Sequence, residues 1–244
     1  MKYAVLSDIH SNLPALQRVL DECGRMEIED FLITGDVVGY GAQPNECCEI
    51  IRDLKAVVIR GNHDEAAVKP GKEEWFTSAA RACILWTREV LSDANREFLE
   101  ELRPSHQLPG AHLCHGSLPD PDLYTTQPQD AMRTVEVMEE PLCFLGHTHY
   151  AEWYAYRGDG RLPTPHARPG GGECPLAADR KYVINSGSVG QPRDGNSQAS
   201  FATWDTEAAL VTIHRVSYDI VTAQQRILGA GLPSNMADRL KYGI

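Results

Sequence analysis

The sequence predicts an α/β protein, built as one domain with two sheets, and three observations support this class. Short apolar runs, too short to be anything but buried strands, alternate with helical patterns in the first 60 residues, which indicates a largely parallel sheet. Near the other end, strand patterns at 181–185, 199–205 and 208–216 have no helix between them and favour antiparallel pairing. A chain of 244 residues with 42% hydrophobic residues can bury a sizeable core, and no linker or internal repeat divides residues 1–244.

Three strand–helix units are predicted in the first third of the chain. Their apolar residues recur in turn at the spacing of strands and of amphipathic helices. Ser11 or Asn12 offers an N-cap to the first helix, Gly24 ends it, and Pro44 begins the second. The predicted strands and helices are, in order, residues 3–6, 13–23, 31–34, 44–54 and 56–59.

The middle of the chain predicts helices first and then further strands. Residues 73–101 fit one or two helices with a broad apolar face that includes Trp75 and Phe76, and Ser92 is a candidate cap for the second helix. We expect these aromatic side chains to lie in the core and not at a ligand. The other predicted segments are extended residues 105–108 and 111–114, a Pro-rich loop at 118–128, a helix at 129–138 and a buried strand at 142–145.

The last third of the chain predicts an exposed strand, a long loop, the antiparallel strands and a helix. Residues 151–157 alternate in polarity as an exposed strand does. From about residue 158 to residue 180 the chain is rich in Pro and Gly, and we expect a mobile surface loop. Its three consecutive glycines do not predict a phosphate cradle, because no helix begins directly after them. Asp219 is expected to cap a helix that ends near residue 228.

The charge and cysteine content argue against several classes of protein. The formal net charge of −11 disfavours binding to long nucleic acid, whose affinity for proteins comes mostly from Lys and Arg. A phosphate substrate remains compatible with this charge, because a bound cation inverts the local field. The seven cysteines form no Cys-x-x-Cys and predict reduced core residues. With no membrane-spanning run and no signal-peptide core, we expect a soluble cytoplasmic protein without a membrane partner, and a homo-oligomer stays open.

Polar side chains follow five of the predicted strands, at the point where each strand ends. They are Asp8 and His10, Asp36, Asn62 and His63, His115, and His147 and His149. Glycine lies beside four of these five clusters and lets the backbone turn sharply near a ligand. Ligands bind at the carboxyl ends of strands in open α/β sheets, so neighbouring strands would gather these residues in one cleft. Carboxylates, an amide and imidazoles without a thiolate suit Mn, Fe, Ni or Zn, including two ions that share a carboxylate.

Five short motifs occur in order between Asp8 and His149: Asp-x-His, Gly-Asp, Gly-Asn-His-Asp, His-Gly and Gly-His-Thr-His. Together they resemble the calcineurin-like metallophosphoesterase family, and in particular its small bacterial and archaeal phosphodiesterase branch. Residues 184–193 also resemble that branch, so the likeness covers nearly the whole chain. The resemblance implies a four-layer α/β/β/α sandwich of two mixed sheets flanked by helices. It also implies a metal-dependent phosphoric ester hydrolase that acts on a small or nucleotide-like phosphodiester.

The resemblance further implies a role for each residue of the five motifs. One divalent metal ion would be held by Asp8, His10, Asp36 and His149, and a second by Asp36, Asn62, His115 and His147. His63 would lie over the leaving-group oxygen and donate a proton to it, and Asp64 would orient His63 through a hydrogen bond. A hydroxide shared by the two metals would attack phosphorus in line, with Mn the expected metal and Fe, Ni or Zn as alternatives.

Other interpretations of these residues stay open. Arg60 and Arg193 lie beside the predicted site and could bind phosphate, but an ion pair with Asp or Glu explains them equally well. A phosphomonoesterase or protein Ser/Thr phosphatase is the alternative function, because residues 60–64 resemble its motif, although its Asp-Arg-Gly is absent after Asp36. A non-catalytic phosphate-binding module is the third hypothesis, and the complete ligand set argues against it.

Overall fold

Two six-stranded mixed sheets face each other in the computed structural model, which describes all of residues 1–244. The first sheet has the spatial order β3 (Val57–Val58), β2 (Asp30–Ile33), β1 (Lys2–Leu6), β11 (Ala199–Asp205), β12 (Leu210–Val216) and β9 (Gly172–Pro175). The second has the order β4 (Ser105–Leu108), β5 (Ala111–Cys114), β6 (Leu142–Leu145), β10 (Lys181–Ser186), β7 (Ala151–Tyr156) and β8 (Thr164–Ala167).

Helices cover the outer faces of the sheets, which gives four layers. They are α1 (Leu13–Arg25), α2 (Pro44–Asp53), α3 (Asn62–Val68), α4 (Ser78–Val90), α5 (Asp93–Glu101), α6 (Pro128–Val137), α7 (Ile220–Gly229) and α8 (Ser234–Asp238). The alternation of β1 serves two layers, because Ala4 and Leu6 pack with α1 and Val5 packs against the second sheet. Val135 of α6 packs with Leu145 on the other side of the second sheet. The predicted α/β/β/α sandwich is confirmed.

The carboxyl ends of the central strands lie at one edge of this sandwich. Strands β1, β2 and β3 are parallel neighbours in the first sheet, and β5, β6 and β10 are parallel neighbours in the second. Because parallel strands end on the same side of a sheet, the loops that follow them converge. These loops carry the polar clusters that the sequence singles out.

Residues 158–180 are not the single mobile loop that their Pro and Gly content predicts. They contain β8, whose Pro165 pairs with Tyr154, and β9, whose Pro175 pairs with Leu210. Both strands lie at the edge of a sheet, where a proline can turn its missing N–H away from the ladder. The segment therefore completes one edge of each sheet.

The helices also differ from the predicted ones. Helix α3 begins at Asn62, with three residues between it and the short strand β3, at a place where the sequence pattern predicts no helix. The 73–101 region has a 3₁₀ turn at Lys72–Trp75 and then two helices, whose N-caps are Thr77 and Ser92. Trp75 is 91% exposed, so its prediction as a core residue is wrong. The short helix α8 was not predicted either.

All seven cysteines are buried and free, as the sequence predicts. Cys114 packs on the α6 side of its sheet, where its Sγ lies 3.5 Å from the Sγ of Cys143. None of the helices combines the length and the apolar content that crossing a bilayer requires.

Candidate metal centre

The residues that follow the central strands share a left-handed backbone conformation. Five of the seven predicted metal ligands have positive φ: Asp8 at 51°, His10 at 50°, Asp36 at 54°, His147 at 69° and His149 at 63°. Non-glycine residues rarely adopt this region, and such strained conformations, which cost about 1–3 kcal/mol each, concentrate at functional sites. Backbone hydrogen bonds hold two of these turns together, since the Asp8 N–H donates to Gly35 and the His10 N–H donates to Asp36. The turned backbone directs these side chains into one cluster.

Two glycines let the strand ends approach one another. A Cβ on Gly61 would overlap the carboxylate of Asp36, and a Cβ on Gly146 would lie 2.5 Å from Oδ2 of Asp8. A larger residue at either position would have to displace a carboxylate of the cluster. The Gly-Asn-His-Asp and Gly-His-Thr-His motifs therefore need their glycines for close packing.

The first half of the cluster places two imidazoles face to face beside Asp8 and Asp36. The Nδ1–H groups of His10 and His149 donate to backbone carbonyls at 3.1 and 2.6 Å. Each ring therefore keeps an acceptor lone pair on Nε2, and the two Nε2 atoms are 3.1 Å apart. Nε2 of His10 lies 3.6 Å from Oδ2 of Asp36, and Nε2 of His149 lies 3.4 Å from Oδ1 of Asp8.

The second half repeats this arrangement on the other side of Asp36. His115 donates from Nδ1 to a backbone carbonyl at 2.8 Å, which leaves its Nε2 3.0 Å from Oδ1 of Asn62 and 3.3 Å from Oδ2 of Asp36. His147 donates from Nε2 to the carbonyl of Asp122 at 3.1 Å, so its lone pair is on Nδ1. Oδ2 of Asp36 is thus close to an imidazole nitrogen of each half.

Acceptor atoms that face one another inside a protein require a positive charge between them. Two lone pairs cannot hydrogen-bond to each other, whereas a metal cation coordinates both. The donor atoms are nitrogen and oxygen without sulfur, which fits the borderline divalent metals. The structure brings together all seven residues that the sequence predicts as ligands, and all except the half-buried Asn62 are buried.

Without a metal ion, the buried charges of the cluster shift one another's pKa. Burial alone would raise the pKa of Asp36, but His115 and His63 outweigh it and hold that pKa far below its ordinary value. Burial alone would lower the pKa of His115, but the Asp36 carboxylate raises it to about 10. Burial raises the pKa of Asp8 to about 7. The metal-free cluster therefore keeps a proton on His115 at neutral pH, in the position where a metal ion would bind.

His63 and Asp64 do not form the hydrogen bond that the family resemblance implies. The Asp64 carboxylate instead accepts from the N–H of Gly61 at 3.0 Å and from the N–H of Val38 at 3.1 Å. Asp64 is the third residue of α3, where a carboxylate reaches back to the N-cap N–H in a capping box. Asp64 therefore fixes the turns around the cluster, and Nδ1 of His63 has no hydrogen-bond partner although the residue is only 3% exposed.

The ring of His63 lies among aromatic neighbours. Its centroid is 4.4 Å from that of Tyr40 and 4.6 Å from that of Phe76. A ring nitrogen of His63 also lies within 4.8 Å of ligand atoms of His10 and Asp36. Burial lowers the pKa of His63 to about 4 against the opposing effect of Asp36, so the ring is neutral at pH 7 in the metal-free chain.

A cleft of about 480 Å³ opens onto the cluster, and only one of the two predicted arginines lines it. Arg193 faces the cleft, and its Nη2 donates to the hydroxyl of Tyr40 and to Oε1 of Gln191, both at 3.1 Å. Arg60 is not among the lining residues, since its Nη2 lies 3.3 Å from Oε1 of Glu65. Of the two roles that the sequence leaves open for Arg60, phosphate binding and an ion pair, the structure therefore shows the ion pair.

Sequence patterns missed several residues that line the cleft. They are Lys72, Trp75, Phe76, Asp122 and Tyr124. For the last two a signal existed, because the Pro-rich segment 118–128 follows the strand that ends at His115, and loops at such positions carry functional residues. The first three lie in a segment that resembles an amphipathic helix, and no local pattern distinguishes them from core residues.

Residues of the 184–193 segment hold the turns that bear the candidate ligands. The amide of Asn185 donates to the carbonyl of Gly146 at 2.7 Å and to the hydroxyl of Thr148 at 2.9 Å. The hydroxyl of Ser188 donates to the carbonyl of Asp8 at 2.8 Å. This part of the family resemblance thus supports the cluster through backbone contacts.

The fold and the cluster agree with a family of known proteins. The family model of the calcineurin-like phosphoesterase superfamily domain matches residues 1–209. The chain belongs to this superfamily. As a calcineurin-like phosphoesterase, it is a metal-dependent phosphoric ester hydrolase, as the sequence motifs predict.

The similarity of this phosphoesterase to its relatives extends over nearly the whole chain. An uncharacterized protein of Methanocaldococcus jannaschii is 36% identical over 98% of this chain and 97% of its own. The crystal structure of a metallophosphoesterase from Sphaerobacter thermophilus is 35% identical, covers 100% of both chains and has a TM-score of 0.89. A hypothetical protein from Pyrococcus horikoshii, 23% identical over 100% of this chain and 98% of its own, has the same fold with a TM-score of 0.81.

Proposed function

We propose that this phosphoesterase binds two divalent metal ions that share Asp36 and that it hydrolyses a small phosphodiester. The first ion would be held by Asp8, His10, Asp36 and His149, and the second by Asp36, Asn62, His115 and His147. Manganese is the ion we expect, with iron, nickel or zinc as alternatives, because nitrogen and oxygen donors without a thiolate suit these metals.

The observation that carries the proposal is the 3.1 Å separation of Nε2 of His10 from Nε2 of His149. Both rings are fixed by hydrogen bonds from Nδ1 to backbone carbonyls, the arrangement that orients metal-binding histidines. Nε2 of His115 lies 3.0 Å from Oδ1 of Asn62 and 3.3 Å from Oδ2 of Asp36, so a metal ion that replaced the His115 proton would meet a nitrogen and two oxygen donors there. When bound, the two ions lower the pKa of a shared water and offset charge on the phosphoryl oxygens.

His63 is the residue best placed to transfer a proton to the leaving group. It lines the cleft, and one of its ring nitrogens lies within 4.8 Å of the candidate ligand atoms of His10 and Asp36. A phosphate anion bound beside the ring favours its protonated form, which then donates to the departing alkoxide oxygen. Asp64 is a positioning residue in this proposal, because it holds the turns around the cluster and does not touch the ring. Arg193 offers its guanidinium to a phosphoryl oxygen.

Beyond the two proposed metal ions, the side-chain charges of the cleft support a diester over a monoester. Lys72 lies 3.1 Å from the carboxylate of Glu65, and Asp122 adds another acidic side chain to the lining, so Arg193 is the lining cation without a carboxylate partner. A phosphomonoester carries a charge of about −1.5 to −2 at pH 7, whereas a diester carries one negative charge. With Arg60 paired to Glu65, the side chains beyond the metal ions offer one cation, which supports the singly charged substrate.

Metal analysis followed by two ester assays tests the proposal. Chelator-treated protein is reloaded with MnCl2, and plasma mass spectrometry should count two manganese ions per chain. The value of kcat/KM should then be higher for bis-p-nitrophenyl phosphate than for p-nitrophenyl phosphate. The reverse order would support the phosphomonoesterase alternative, and no hydrolysis of any ester in a broad panel would support a phosphate-binding module.

We also propose a cytoplasmic location and a small phosphoester as the physiological partner. The seven free, buried cysteines support a reducing compartment. Fractionation of cells that express the tagged protein would test the location, and sedimentation velocity would test for a homo-oligomer.

A further inference from the structure

The metal-binding end occupies only part of the cleft, and aromatic side chains line the remainder from two separate segments. Trp75 and Phe76 lie between α3 and α4, and Tyr124 lies in the loop between β5 and α6. The cleft volume of about 480 Å³ falls within the range of about 300–1,000 Å³ that is typical of pockets for whole small molecules. The cleft therefore has room for more of a substrate than its phosphate.

An anchored turn presents Trp75 to solvent. Trp75 is 91% exposed, more than any other large apolar residue of the chain. Glu73 of the same turn is buried, accepts from the N–H of Gly71 at 2.8 Å and pairs with Arg88 at 2.8 Å. Arg88 in turn donates to the carbonyl of Ala66 at 2.6 Å. These contacts hold the backbone of the turn in place and leave the indole ring exposed, so the fold itself keeps Trp75 at the surface of the cleft.

Tyr124 presents a second ring directly beside the metal-binding end. Its ring is stacked on that of His147, with centroids 4.1 Å apart and planes inclined by 8°. Tyr124 is 52% exposed. One face of the Tyr124 ring thus covers His147, a proposed metal ligand. The aromatic side chains of the cleft therefore begin beside the place where a phosphate would bind.

We propose that Trp75 and Tyr124 select phosphoesters that carry a flat aromatic group, so that the substrate is a nucleoside phosphodiester. This inference rests on the proposed function of the metal centre. Base–aromatic stacking accepts every base, because each has a π face. The cleft is also lined by the polar side chains Glu65, Lys72, Thr77 and Asp122, which suit the polar edge of a heterocycle and disfavour a lipid tail.

Two esters that differ only in the base test this selection. The 2,2,2-trifluoroethyl esters of adenosine 5′-phosphate and of 1-O-methylribose 5′-phosphate share the scissile bond and a non-aromatic leaving group, and ¹⁹F NMR follows the release of trifluoroethanol. The ratio of kcat/KM, adenosine over ribose, should exceed one in the wild type. It should fall about five- to hundredfold in Trp75→Ala, mainly through KM, which is the range that stacking on one ring supplies. An unchanged ratio would overturn the inference.

Matched variants distinguish the loss of stacking from a nonspecific effect of substitution on the enzyme. Trp75→Phe keeps a π face and should retain most of the ratio. Tyr242→Ala removes a 57% exposed ring outside the cleft and should leave the ratio unchanged. Tyr124→Leu should lower the ratio as Trp75→Ala does, and its bound manganese is counted in parallel because Tyr124 contacts His147. A fall in the ratio for Tyr242→Ala would also overturn the inference.

A binding measurement distinguishes failure of this inference from failure of the proposed function. AMP should quench the tryptophan fluorescence of the wild type, ribose 5-phosphate should not, and Trp75→Phe should lose the response although three other tryptophans remain. If no ester is hydrolysed but AMP still quenches Trp75, the proposed function fails and the aromatic selection stands. If AMP does not quench, the selection is refuted. If Trp75→Ala instead changes the sedimentation coefficient, the ring belongs to an interface between copies, and the selection is likewise refuted.

Discussion

Metal binding should release protons from the cluster, and the size of this effect follows from His115. In the metal-free chain the Asp36 carboxylate outweighs burial and raises the pKa of His115 to about 10, yet a metal ligand must be unprotonated. At pH 7 a metal ion should therefore displace about one proton from this ring. Asp8, whose pKa burial raises to about 7, should add a further fraction of a proton. At pH 7, three units below the pKa of His115, a metal ion must compete with the His115 proton. This competition should weaken the apparent metal affinity about a thousandfold, or about 4 kcal/mol, relative to a cluster whose His115 is unprotonated.

The sign of this effect is fixed by which state holds the proton. The metal-free cluster binds it and the loaded cluster does not, so the apparent affinity for manganese should rise about tenfold per pH unit between pH 7 and 9. Titration calorimetry of chelator-treated protein in PIPES, HEPES and Tris, which differ in ionisation enthalpy, counts the protons released. His112→Ala, which changes a histidine of the same strand outside the cluster, should behave as the wild type does. No net release at pH 7, or an affinity that falls as the pH rises, would refute the reasoning.

Three further variants test separate parts of the site and the fold. His63→Ala should keep the manganese content of the wild type and lower kcat about 10²–10⁴-fold, the usual contribution of a proton donor, whereas metal loss as large as in Asp36→Ala would contradict its role. Gly61→Ala should lose bound manganese because its Cβ would overlap the Asp36 carboxylate, and Gly24→Ala, whose Cβ would meet nothing within 4 Å, should not. Equal metal contents by mass spectrometry would show that the close approach at Gly61 is unimportant. Burial raises the pKa of Glu152 from 4.5 to about 7, so the folded state favours the protonated, neutral side chain. This contribution to the free energy of unfolding is fully present below about pH 4.5 and is lost as the pH rises through 7. Glu152→Gln should therefore flatten the decline of Tm between pH 5 and 8, and an unchanged slope would contradict this assignment.

The ends of the central strands were accessible to sequence reasoning because their signal is local. A short apolar run followed by Asp8, Asp36 or His115 marks the carboxyl end of a buried strand, and parallel order brings such ends to one edge. The sandwich and the gathering of the seven candidate ligands follow from that pattern together with the family resemblance. The left-handed backbone at Asp8 and Asp36 does not, since nothing in a polar strand end distinguishes it from an ordinary turn.

The predictions that proved wrong depended on contacts between distant residues. Trp75 fits a helical apolar face, but its turn is set by the ion pair of Glu73 with Arg88, 15 residues away. The Pro-rich segment from 158 to 180 forms strands because β7 and β12 offer unpaired edges to it. The implied bond from Asp64 to His63 is the exception, because one contact that replaces it is local: the Asp64 carboxylate accepts from the N–H of Gly61 in the first turn of α3, as well as from the N–H of Val38.

Anomalous diffraction from crystals of the manganese-loaded protein tests the shared carboxylate most directly. Data collected at the manganese absorption edge should show two peaks per chain, about 3.5–4 Å apart and both in contact with the carboxylate of Asp36. A single peak, or two peaks of which only one contacts Asp36, would contradict the proposed metal centre.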